Sequence, residues 1–194
     1  MSKNKIRKGH IKNNIRPKNE VKNSTKPLKS VDKRMIFDIS FKGLFYFIDC
    51  SDFTNELENE GQFSQKFSEF IEFIHKVDNK DFYKELIQDR GMKHCHQVTA
   101  KHDVIKKYFI KSLETPISNI QERELYWDQL VGDEVLYQIG YEKSFRCVGI
   151  YNETRNIFQI LLFDWHHLLF PDKRKNRINP HKASYSLMKK IVRR

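Results

Sequence analysis

Long apolar runs are absent from this chain. No stretch of its 194 residues approaches the roughly 18–20 consecutive apolar residues of a membrane helix, so no membrane partner is expected. The N-terminal MSKNKIRKGHIKNN is cationic but has no apolar segment behind it, and Ser2 stands where N-myristoylation requires glycine. Cysteine is scarce: Cys50, Cys95 and Cys147 are odd in number, far apart and without a CxxC pair. That usage fits a reducing, cytoplasmic setting better than a disulfide framework. The phosphate-cradling loops GxxxxGK[ST] and GxGxxG are missing, as is the GxSxG elbow of esterase-type hydrolases. Nothing in these patterns implies a cofactor.

Charge is plentiful, and it is sorted by position. Residues 1–34 hold 12 Lys and Arg against Glu20 and Asp32, and residues 172–194 hold 9 against Asp172. The intervening 35–171 carries 15 basic and 22 acidic residues, so net charges of +10, −7 and +8 make up the formal +11. Cationic runs of this kind are the footprint of a protein that neutralises phosphates. Simple solvation of like-charged ends is the competing explanation. Residues 1–34, interrupted by Pro17 and Pro27, read as a basic flexible arm that orders on a partner. Residues 35–171 are long enough for one folded domain, and 172–194 form a basic C-terminal segment.

Within that domain, MIFDISFKGLFYFIDC reads as a strand, or one bent around Gly43. Phe63, Phe67, Phe70, Ile71, Ile74 and Val77 form the apolar stripe of a helix, and Phe82–Ile87 suggests a second one stopped by Gly91. MKHCHQVT is ambiguous between strand and loop. Val104 to Leu113 gives another helical stripe, ended before Pro116. Asn119 with Glu122 matches the cap and third position of a helix reaching Val131. EVLYQI, FRCVGIY and IFQILLFDW, joined by short polar turns, read as a β-meander. A last short helix is expected near Tyr185–Val192. The expected fold is therefore α+β: an antiparallel sheet whose C-terminal meander packs against several helices, with a helical insertion over 51–131.

The densest polar constellation follows the last strand: Asp164-Trp165-His166-His167, then Pro171-Asp172-Lys173-Arg174-Lys175. Imidazoles suit proton transfer near neutral pH, and neighbouring cations suit a pentacovalent phosphate. Alternation along a strand turns one of the two histidines inward, so at most one of the pair acts, with His167 preferred. Arg146 interrupts an apolar strand. It is either a phosphate clamp on the sheet's concave face or half of an ion pair with a helix carboxylate. His94-Cys95-His96 with His102 has a weak metal-ligand spacing that distant His166 or His167 would have to complete, the basis of a less favoured metal-dependent nuclease reading. His166, His167, Asn176 and His181 loosely match a ββα-metal nuclease motif, a weak alternative because the spacing is compact and zinc-finger-type cysteines are absent. The aromatic stripes on the helices read as core, because stacking platforms for bases need interleaved Lys and Arg.

The stretch Leu130–Pro171, with Arg146 in the middle strand of the meander and His166-His167 after the last, resembles the C-terminal meander of the RelE/ParE toxin superfamily. In that family a leading strand and helices precede such a meander. The resemblance covers about 40 residues and implies a bacterial toxin–antitoxin setting. It further implies a small endoribonuclease that cuts messenger RNA on the ribosome without metal, or a gyrase poison. For cleavage it implies attack of a ribose 2′-hydroxyl on the adjacent phosphate. Arg146 would clamp that phosphate, His167 or His166 would move the proton, and Lys173 and Arg174 would add charge. RNA, the ribosome and an antitoxin protein are the partners this expectation brings. This chain is about twice the length of a typical member, and the alternative is a non-catalytic RNA- or ribosome-binding protein on the same scaffold.

Overall fold

The computed structural model describes residues 34–48, 50–89, 92, 94–141, 145–171, 183–186 and 188. The arm 1–34, apart from Arg34, lies outside the described residues, as do Gly91, Lys173, Arg174, Asn176 and His181.

The meander forms as its turn chemistry dictates. Strand β3 (Leu136–Tyr141) runs antiparallel to β4 (Phe145–Asn152), which runs antiparallel to β5 (Ile157–Asp164). Asn156 sits in the second turn at φ 53°, a left-handed conformation that asparagine tolerates. Two short strands complete a five-stranded sheet of order β1-β5-β4-β3-β2. They are β1 (Ile36–Asp38) and β2 (His96–Gln97), the latter antiparallel to β3. The expectation of a purely antiparallel sheet is corrected here: β1 joins β5 in parallel, so the sheet is mixed. The α+β class stands.

Three α-helices and a π-helix supply the remaining layers. Helix α1 (Glu60–Val77) is opened by Asn59, whose side chain accepts the Gln62 N–H. A six-residue π-helix, Phe82–Ile87, follows, capped by Asp81. The helices α2 (His102–Ser112) and α3 (Ile120–Leu130) pack on each other through Phe109 and Trp127, 4.9 Å between ring centres. Asn119 caps α3 by accepting the N–H groups of Gln121 and Glu122.

Strand alternation sorts the sheet into two faces. Phe145 and Phe163 turn toward α1, meeting Phe70 at 5.6 and 5.1 Å. At the far end of that face Phe82 of the π-helix stacks on Tyr151 at 3.8 Å. Gln138, Gly140, Arg146 and Asp164 belong to the opposite face by register. On α2 the Tyr108 hydroxyl is pushed up by burial and by carboxylates that include Asp52 and Asp164. Strand β1 pairs only with Ile157–Gln159, and the segment 41–57 follows it. That segment places Phe41 on Phe109, Phe53 on Tyr108 and Phe45 near Phe163. Tyr185 comes back to this segment and exchanges backbone hydrogen bonds with Leu57, so Tyr185 itself is extended; of the helix expected near Tyr185–Val192, Met188 is helical and 187 and 189–192 lie outside the described residues. Among the described residues no helix is long and apolar enough to cross a membrane.

Candidate active site

Among the described residues, Asp164, His166 and His167 follow one another at the end of β5, with Arg146 opposite Asp164. Strand β5 stops at Asp164, whose fully buried carboxylate accepts the Leu168 N–H at 2.8 Å and the Leu169 N–H at 2.9 Å. A single side chain thus closes the turn that carries both histidines. Burial pushes this carboxyl above its ordinary value, and the two amide donors pull it back. Within the turn Trp165 returns to the core, stacked on Phe163 at 4.3 Å.

The turn separates the two imidazoles. His166 is 4 % exposed, and its Nε2 lies 2.6 Å from the Glu56 carbonyl. A carbonyl only accepts, so Nε2 carries the proton and His166 ties β5 to the 41–57 segment. His167 follows at φ 60°, half-buried and in the left-handed region. Their difference arises in a turn beyond the strand and not from strand alternation.

Arg146 stands directly opposite Asp164 on β4 and is 4 % exposed. Of its two sequence-level readings, the structure gives a buried guanidinium facing a cross-strand carboxylate instead of a helix residue. Gly140 is the reason it fits. A methyl group there would lie 2.5 Å from the Arg146 Cδ, 2.6 Å from the Phe145 carbonyl oxygen and 3.0 Å from Nη1. The bare backbone of β3 therefore gives the arginine side chain room to lie against it. Nη1 donates to the Phe145 carbonyl at 2.6 Å. Burial lowers this guanidinium to about 10, with Asp164 opposing, so it stays charged at neutral pH.

The Arg146 charge also acts on Cys95 and His96, on the far side of β3. Cys95 Sγ donates to the Gly140 carbonyl at 3.8 Å, and its thiol is pushed up mainly by burial. His96 is half-buried, its ring edge-on to Phe170 at 5.7 Å. Burial and then the Arg146 charge lower its pKa below 6.5, so it is neutral at pH 7. Lys101, at φ 74° before α2, donates to the Leu169 carbonyl and lies 4.9 Å from the Phe170 ring centre. That pair of contacts ties the 165–170 turn to the start of α2. Sequence reasoning noted His96 only as half of an HxH pair. Its approach to Arg146 depends on β2 pairing with β3, which two residues of strand do not announce.

The members of the weak metal set are not gathered. His102 packs edge-on to Trp127 at 5.3 Å, and among the described residues no group of three or more His, Cys, Asp or Glu side chains could hold a metal ion.

Fold and site together define an α+β protein with a mixed five-stranded sheet, in which buried Arg146 stands opposite buried Asp164, His96 lies on the edge strand β2 and His167 follows in the turn after Asp164. Residues 40–193 match the family described as uncharacterised protein UU032, and the chain belongs to that family. Every site residue named above lies within the matched span. No curated protein and no solved structure matches the chain.

Proposed function

We propose that the protein acts on RNA in the cytoplasm as a RelE-like endoribonuclease, cutting messenger RNA by metal-independent acid–base chemistry, with the ribosome as its setting and an antitoxin as its regulator. The observation that carries this reading is buried Arg146 opposite Asp164, with His167 in the turn that follows Asp164 and His96 under the influence of the Arg146 charge. The order of a leading strand, helices and a meander with an arginine in its middle strand adds support. In this reading His167 transfers a proton, Arg146 supplies fixed positive charge from beneath, and His166 holds the turn. Lys173 and Arg174 contribute cations beyond Pro171, and the basic end segments provide salt-dependent affinity. The test incubates labelled messenger RNA with the protein in EDTA, with and without ribosomes, beside His167→Ala. Cleavage by the wild type alone supports the reading, and RNA left intact under both conditions overturns it.

A second reading, a non-catalytic RNA- or ribosome-binding protein, is favoured by the burial of Arg146 and His166 in contacts that serve the fold. Under it, removal of residues 1–34 abolishes salt-sensitive RNA retention, and the histidines are silent.

A further inference from the structure

We infer that His96 is a catalytic residue of this site, the base that takes the proton from a ribose 2′-hydroxyl. The inference rests on the endoribonuclease reading and adds a group that the meander itself does not contain. Register carries the argument. His96 pairs with Gln138, and Gly140, two residues further along the same face of β3, pairs with Arg146. The arginine side chain lies against Gly140, and its charge acts on the His96 ring. Next to that ring Gln138 is 4 % exposed, and its Oε1 has no hydrogen-bond partner among the described residues. This gives an acceptor for a ribose hydroxyl adjacent to a neutral imidazole.

The reaction is an in-line displacement. A His96 ring nitrogen takes the 2′-hydroxyl proton, and the 2′-oxygen forms a bond to the neighbouring phosphorus. The bond from phosphorus to the 5′-oxygen breaks, and His167 in its protonated form gives that oxygen a proton. The products are a 2′,3′-cyclic phosphate and a 5′-hydroxyl, with no co-reactant. The charged groups around His96 suit the role. Arg146 disfavours the imidazolium, Lys101 lies beyond Phe170, and the Cys95 thiol is neutral.

The test measures single-turnover cleavage against pH for wild type and His96→Gln. The expected result is a loss of about 100-fold or more in rate. The rate should also lose its dependence on a group titrating below 6.5, while RNA retention stays within about twofold. Added imidazole restores part of the rate to His96→Ala. Independently of any variant, the His96 ring resonances of wild type shift on addition of RNA carrying a 2′-deoxy sugar at the cut site. Cleavage by wild type with an unchanged His96→Gln rate, or unmoved His96 resonances, overturns the assignment alone. Absence of cleavage by wild type overturns the endoribonuclease reading and the role of His96 with it.

Discussion

Replacement of Gly140 by alanine is the sharpest structural test of how this site is held. The added methyl would sit 2.5 Å from Arg146 Cδ and 2.6 Å from the Phe145 carbonyl oxygen, both far inside van der Waals contact. The carbonyl belongs to the backbone of β4 and has little room to yield, so the arginine must leave its groove. Overpacking of this kind costs about 1–3 kcal/mol, and loss of the buried hydrogen bond from Arg146 to the Phe145 carbonyl adds to it. We expect a total of about 3 kcal/mol. For a domain of this size that is a fall in Tm of about 6–12 °C, read by circular dichroism in thermal melts. A second signal separates this mechanism from general loosening. Moving the guanidinium away removes a positive charge from beside His96, so the His96 pKa rises toward 6.5 in an NMR titration. A Tm within 2 °C of wild type, with an unmoved His96, would refute the packing argument.

Three further outcomes follow from the same geometry. The His96 pKa is lowered in the folded state, so between that value and 6.5 the unfolded chain binds more protons. Its stability contribution is complete above about 6.5 and is lost as pH falls through the folded value. In urea titrations His96→Gln should therefore lose less stability than wild type on going from pH 7.5 to pH 5. His166→Ala removes the donor to the buried Glu56 carbonyl and should cost about 1–3 kcal/mol in urea titrations, whereas an unchanged midpoint would contradict the anchoring role. Asn119→Ala deletes the cap of α3 and should cost about 1 kcal/mol in thermal melts without altering the site.

Local patterns made much of the fold legible in advance. The meander follows from apolar runs and short polar turns, and α3 from Asn119 with its capping spacing. The stripe on α1 was readable in outline, but Ile71 lies off it at 38 % exposure while Phe73 is fully buried, since 70, 73 and 77 share one face. The segment from Met35 to Cys50 misleads because apolar content does not distinguish a strand from a buried irregular segment. Only Ile36–Asp38 pairs, while Asn55 holds the chain beyond it by accepting the Ile48 N–H and donating to the Tyr46 carbonyl. The parallel joining of β1 to β5 connects residues more than a hundred positions apart, a relation that no local window contains. The site divides in the same way. Arg146, His166 and His167 stand out as polar residues within or after apolar strands. His96, Gly140 and Lys101 acquire meaning only from cross-strand register and from the folding back of the 165–170 turn.

Under the proposed function, His96, Arg146 and His167 together cut RNA. Mass spectrometry of the products formed from a defined messenger RNA in EDTA decides this. The expected fragments end in 2′,3′-cyclic phosphate and begin with 5′-hydroxyl, and they are absent with His167→Ala. RNA recovered intact, or fragments beginning with 5′-phosphate, would contradict the proposed function.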